Sequence, residues 1–247
     1  MRYIFLDTVS STNEYAMKTL AKSDPPENIC LYTYNQSAGR GQIGRKWFGD
    51  TDKNIACSYV VHPHNLLAKN QFYLNQAFSL AVHDLISSYV DKPVRIKWPN
   101  DIYVEDKKIA GILIQNVLRA ESISSSILGV GINVNTTDFP PNIPNPTSLA
   151  IVSGKSFELH PLVYKLSDLV EHRLQQLTLN KESLAKAYDA LLYRKDVEHS
   201  FTIDNESQKG IIRGVLPDGK LELEMHGKRH YFGFREIRFN IPHGQMG

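Results

Sequence analysis

The chain has 247 residues, 42 % of them apolar and 22 % charged, with 28 Lys plus Arg against 26 Asp plus Glu for a formal net charge of +2. That composition excludes a disordered, collagen-like or coiled-coil chain and fits one or two globular domains. Near-neutral charge supplies no general polyelectrolyte field, so a broad nucleic-acid surface has no support, and an anionic ligand needs a local cluster of cations.

Tyr3 to Val9 reads as a strand. It runs into Ser11-Thr12-Asn13-Glu14, a capping box with Ser11 at the N-cap, which predicts a helix to about Lys22 ended by Asp24-Pro25-Pro26. Ile29 to Tyr34 is a second strand, followed by a Gly/Arg-rich loop to Asp50 and a third strand from Asn54 to Val61. Apolar residues at helical spacing mark Asn70 to Tyr89 as an amphipathic helix. Short β-rich runs follow at Val94–Trp98, Ile102–Val104, Ala110–Val117 and Ser125–Val134, with Glu105 to Lys108 as a polar turn. The four prolines of Asp138 to Ser148 make a loop, and two helices follow, one around Leu162 to Leu174 and one over Lys181 to Tyr193. Beyond about Lys195 only strands are expected, at Phe201–Ile203, Gly210–Leu216, Lys220–Met225 and Arg229–Arg238, with Pro217-Asp218-Gly219-Lys220 as a hairpin turn. The pattern is an α/β domain over residues 1–195 and a small all-β barrel over 196–247, packed on the first because it is too small to stand alone.

Cys30 and Cys57 lack any C-x-x-C or Cys/His ligand spacing and read as buried thiols of a reducing cytosol. The N-terminus has no signal-peptide pattern, and no stretch approaches the ~20 apolar residues of a membrane helix, so a cytoplasmic protein with no membrane partner is expected.

Three clusters carry chemistry. In Gly39-Arg40-Gly41-Gln42-Ile43-Gly44-Arg45-Lys46-Trp47, free backbone N–H groups lie beside cations, as a cradle for phosphate or carboxylate requires; a solvated basic hairpin fits the composition equally. Trp47 reads as a core anchor or as a lid on a planar ligand. In Lys97-Trp98-Pro99-Asn100-Asp101, Pro99 ends a strand and leaves Asn100 and Asp101 free to bind backbone, a cation or a ligand; Lys108 and Gly111 open the next strand. In Gly129-Val130-Gly131-Ile132-Asn133, alternate glycines weaken a strand unless something passes close by, and Asn133 suits a purine edge or local backbone. No zinc-type histidine spacing and no G-x-S-x-G elbow occurs, and His62-Pro63-His64 reads as a surface loop.

Taken in order, Ser11-Thr12-Asn13, the Gly39–Trp47 loop, Lys97–Asp101 with Lys108-x-x-Gly111, and Gly129–Asn133 resemble the biotin protein ligases over nearly the whole chain. The specific part is K-W-P-N-D, a Lys seven residues after the Asp, and then x-x-G-I-L. The resemblance implies an α+β fold, with a mixed-sheet catalytic domain over 1–195 and an SH3-like barrel over 196–247. It implies that biotin and ATP form biotinyl-5′-AMP with loss of pyrophosphate, and that the biotinyl group then passes to a specific Lys of a biotin carboxyl carrier protein, usually that of acetyl-CoA carboxylase. By the same resemblance, Lys108, Arg40 and Asp101 are catalytic: Lys108 sits between the biotin carboxylate and the α-phosphate, and Arg40 with the Gly39–Gly41 backbone closes over the adenylate. Ser11, Thr12, Asn13 and Gln36 surround the ureido ring, and Gly111 and Ile112 line the biotin pocket. Gln42, Arg45, Trp47, Lys97, Asn100 and Asn133 fall on the nucleotide side. Mg²⁺ bridges phosphates without a protein metal motif, and no prosthetic group is implied.

Two departures matter. The family's G-R-G-R-x-G-R-x-W has Arg where this chain has Gln42. With one lid cation fewer, the adenylate should escape faster than from a Gln42→Arg variant, and equal release rates in a stopped-flow chase would sink that expectation. The pattern also begins within the first dozen residues, with no room for the winged helix-turn-helix of repressor relatives, so DNA binding is not expected. A lipoate ligase or octanoyl transferase is disfavoured by K-W-P-N-D, and a non-catalytic biotin or nucleotide sensor by the intact Arg40, Asp101 and Lys108. The sequence leaves a homodimer through sheet edges open.

Overall fold

The computed structural model describes residues 1–22, 26–42, 44 and 46–241. Seven strands form one mixed sheet in the order β1-β2-β3-β7-β6-β5-β4. These are β1 (Arg2–Phe5), β2 (Ile29–Thr33), β3 (Asn54–Val61), β4 (Val94–Lys97), β5 (Asp101–Val104), β6 (Lys107–Arg119) and β7 (Ser122–Asn133). Only β1 and β2 run parallel; every other ladder is antiparallel.

Period-two alternation decides what covers each face. On one face Ile29, Leu31, Val60 and Ile127 pack against Ala16 of α1 (Thr12–Lys22). On the other, Cys30, Tyr32, Cys57 and Tyr59 join the main core with α2 (Phe72–Ser87) and α4 (Leu159–Leu179). Strands β2 and β3 are therefore buried on both faces and read as mainly apolar runs. Helix α2 is buried nearly all round because α4 and α5 (Lys181–Ala190) lie over it. Both cysteines are free and buried, as the composition led one to expect. A short helix that the sequence did not announce, α3 (Leu149–Ser153), follows the proline loop; Ser148 caps it by accepting the Ile151 N–H. No helix among the described residues is long and apolar enough to cross a membrane.

Five more strands make an antiparallel sheet in the order β11-β10-β9-β8-β12, namely β8 (Glu198–Ile203), β9 (Glu206–Val215), β10 (Leu221–Met225), β11 (Lys228–Phe232) and β12 (Ile237–Phe239). Two expectations change here. Arg229 to Arg238 is not one strand, because the chain turns after Phe232, where the Gly233 N–H donates to Glu236 and Arg235 takes φ +82°. The barrel is also not closed: among the described residues its edge strands β11 and β12 do not pair with each other.

This sheet docks on the K-W-P-N-D turn. Trp98 Nε1–H donates to Gly219 O at 2.9 Å, and Phe234 lies 5.3 Å from the Trp98 ring. Gly219 has φ +92° and sits so close to Phe72 that a Cβ would fall 2.8 Å from the ring, so both conformation and space require glycine. In the same seam Asp189 of α5 accepts from the Val215 backbone, while its Oδ1 is buried with no hydrogen-bond partner. Burial pushes this carboxyl up to about 6, with Glu222 adding and Lys195 opposing. The folded state thus holds the proton more tightly than the unfolded chain, and stability falls as pH rises between about 4 and 6. Asp189→Asn keeps an acceptor for Val215 and removes the charge. It is expected to gain on the order of 1 kcal/mol at pH 7.5, after allowance for partial exposure, and almost nothing at pH 4. Urea denaturation at the two pH values checks this, and equal gains at both would contradict it.

Candidate active site

The site lies on the α1 face of the large sheet, and glycine alternation makes room for it. Beyond Ile127, the next β7 residues on that face are Gly129 and Gly131, followed by Asn133 at the strand end, and Gly131 pairs directly with Gly111 of β6. The sheet there is bare backbone. The Trp47 indole lies flat on this floor: a Cβ on Gly131 would fall 2.3 Å from its Nε1, and one on Gly111 2.8 Å from its Cζ3.

Helix α1 aims its first turn at the same floor. Thr12 donates to Gln36 Oε1 twice, from its N–H at 2.9 Å and its hydroxyl at 3.3 Å. Gln36 thereby satisfies a helix-end donor, the task expected of the capping box. Glu14 does not fold back on Ser11; its carboxylate pairs with Arg40 and accepts from Ser10 Oγ. Asn13 is buried and anchored on both sides, accepting from Ser58 Oγ at 2.6 Å and donating to Leu113 O at 3.2 Å and Gln115 Oε1 at 3.0 Å.

Opposite lies Lys108. Its N–H donates to Asn145 O at 2.7 Å and its carbonyl accepts from Thr147 N–H at 2.9 Å, which fixes the strand end against the proline loop. Its ammonium is 2.6 Å from Asp101 Oδ1 and 5.4 Å from the Trp47 ring centroid. Burial, followed by the Asp101 charge, pushes the neighbouring Tyr103 phenol up. The backbones of Arg40 and Lys46 pair antiparallel, and the Trp47 N–H donates to Gly39 O at 2.9 Å, so the loop is pinned at its base as a hairpin.

The cleft enclosed is small, about 50 Å³, room for a water or two beside Trp47. Of the residues singled out from sequence, Ser11, Thr12, Asn13, Gln36, Arg40, Gly41, Gln42, Trp47, Asn100, Lys108, Gly111 and Ile112 line it. Gly39 lies behind, where a Cβ would meet Gln36 and Trp47, and Asp101 holds Lys108 from the side. Arg45 lies outside the described residues. Asn100 also braces the strands: its side-chain amide donates to Ile112 O and its backbone carbonyl accepts the Ile112 N–H at 2.9 Å.

Lys97 and Asn133 are off this lining. The Lys97 ammonium sits over Phe239 at 4.7 Å and Tyr103 at 5.6 Å, because alternation along β4 sends Ile96 into the core and Lys97 the other way. Asn133 donates to Thr147 O at 2.9 Å, on the same face as Gly131 and two residues further on. Residues missed from sequence gather beside it. Asn54, its cross-strand partner, accepts from Val134 N–H while its own Nδ2 is buried without a partner, and Thr147 Oγ1 is buried likewise. Nothing in the spacing marks them, since they meet Asn133 only through the β3–β7 register and the proline loop.

Comparison with known proteins places this arrangement. A family model for the biotin/lipoate A/B protein ligase family matches residues 5–133. The chain belongs to that family. It is 34 % identical over 158 residues to the bifunctional ligase/repressor BirA of Bacillus spizizenii, a match covering 63 % of this chain and 48 % of the relative. The chain thus spans about half the length of the Bacillus relatives it matches. The biotin–[acetyl-CoA-carboxylase] ligase of Mycobacterium tuberculosis is 26 % identical over 239 residues, covering 90 % of this chain and 84 % of the relative. In fold, the biotin protein ligase of Aquifex aeolicus, solved with biotin and ATP, superposes with a TM-score of 0.79 at 23 % identity over 96 % of this chain and 99 % of the other. The α+β architecture expected from the sequence is therefore that of its family.

Proposed function

We propose that the protein is an ATP-dependent biotin ligase, with residues 1–195 as its catalytic domain and 196–247 as a C-terminal domain buttressing the K-W-P-N-D turn. The observation that carries the reading is Lys108, a cation fixed between Asp101 and Trp47 above a glycine floor, in a cleft that Arg40 also lines. A biotin carboxylate attacking an α-phosphate brings two anions together, and fixed cations reduce that repulsion without reorganising. The carboxylate oxygen bonds to phosphorus, pyrophosphate leaves, and biotinyl-5′-AMP remains under the Arg40 loop. An amine of a carrier-protein Lys then attacks the acyl carbon, AMP leaves, and the amide forms, so no nucleophile of this chain is needed.

Thr12, Gln36 and Ser11 supply donors and acceptors for the ureido ring, and the buried amide of Asn54 with the Thr147 hydroxyl, beside Asn133, suits an adenine edge. Mg²⁺ arrives with ATP as the substrate complex. Among the described residues no group of three or more His, Cys, Asp or Glu could hold the ion, and Asp101 is already paired with Lys108. The carrier protein of a biotin-dependent carboxylase is the partner this chemistry requires, and the cytoplasm is the location that goes with this reading.

Pyrophosphate–ATP exchange with biotin, lipoate, octanoate and no acid tests the reading. Exchange that depends on biotin is expected; exchange only with lipoate or octanoate keeps adenylation and changes the substrate. Biotin binding without any exchange would replace the ligase with a sensor.

A further inference from the structure

Arg40 lines the cleft, yet its guanidinium is engaged by Glu14, a residue that the lining does not include. Glu14 is the third residue of α1, directly after Thr12 and Asn13, and its other contact is the Ser10 hydroxyl at 3.4 Å. Among the described residues of the loop, position 42 is the uncharged Gln42, and Lys46 is exposed outside the lining. Among the described residues of the loop, Arg40 is thus the cation that lines the cleft, and an acid on the neighbouring helix already holds it.

We infer that Glu14 is a positioning residue that competes with the bound anion for Arg40 and so shortens the residence time of the adenylate; this rests on the ligase reading. An anion in the cleft obtains Arg40 only by displacing or sharing the Glu14 carboxylate. The Arg40 side chain is 63 % exposed and that of Glu14 31 %, so the competition is that of a partly solvated ion pair, modest in size and screened by salt. The effect of Glu14 is therefore on retention, while Lys108 carries the bond-making step.

The test loads the full chain with labelled biotin and ATP, removes free nucleotide, and follows release of label in a chase. Glu14→Gln is expected to slow release about two- to five-fold at low salt, the range an exposed pair can impose, with the difference shrinking in 0.5 M NaCl. In an Arg40→Gln background the same change is expected to leave release unaltered, an outcome that a purely structural role at the helix terminus would not give. Unchanged release in Glu14→Gln, or equal slowing in both backgrounds, overturns the inference while biotin-dependent exchange keeps the ligase reading intact. A wild-type chain without that exchange overturns both.

Discussion

Lys108→Ala is expected to lower biotin-dependent pyrophosphate exchange by on the order of 10² or more, with a much smaller change in biotin affinity. Lys108 is held ready for the reaction by its surroundings. The backbone of Lys108 is clamped on both sides by the proline loop, at 2.7 Å to Asn145 and 2.9 Å to Thr147. Its side chain is held by Asp101 and lies against Trp47, close enough to the floor that a Cβ on Gly111 would be 3.1 Å from Nζ. A cation fixed in this way meets the developing charge without first being ordered, and that saving is lost with the side chain. Asp101→Asn should cost less, because it loosens the ammonium and leaves the charge. Exchange within a factor of about two of wild type in Lys108→Ala would remove this residue from the chemistry.

How far the sequence reached follows from the distance between partners along the chain. Asp101, Lys108 and Gly111 were legible because a single β5–β6 hairpin brings them together: Asp101 pairs with Gly111, and Tyr103 with Lys108. The glycine floor was legible as an alternation in β7, since a strand has no use for Gly129 and Gly131 unless something lies on them. What lies on them was not, because Asn13 and Trp47 arrive from other parts of the chain. Glu14 was read as a cap by its spacing from Ser11, but a charged partner on a distant loop outcompetes a local backbone N–H. Lys97 was grouped with the site because it begins the motif, whereas strand alternation and the aromatic surface of Phe239 decide where it points. The split of β11 from β12 turns on Arg235 at positive φ, a conformation that no residue type there announces.

The same floor gives the second large expected effect, on stability. Gly129→Ala should destabilise the protein by about 2–4 kcal/mol, against the usual gain from replacing a strand glycine. The new methyl would lie 2.0 Å from Asn13 Oδ1 and within 2.9 Å of the rest of that amide. Asn13 cannot swing aside cheaply, for it is buried, is the second residue of α1, and is bonded to Ser58, Leu113 and Gln115. Moving it strands the fully buried Ser58 hydroxyl and shifts the helix turn that carries Ser11 and Thr12, so biotin affinity should fall with stability. Gly131→Ala is the informative companion. Its methyl strikes the Trp47 indole, a half-buried side chain that yields toward solvent more cheaply than buried Asn13, so stability should change little while ligand retention suffers. Urea denaturation and biotin titration of the two variants separate these outcomes. A Gly129→Ala protein within about 0.5 kcal/mol of wild type would mean that Asn13 is not the rigid post on which this end of the cleft is built.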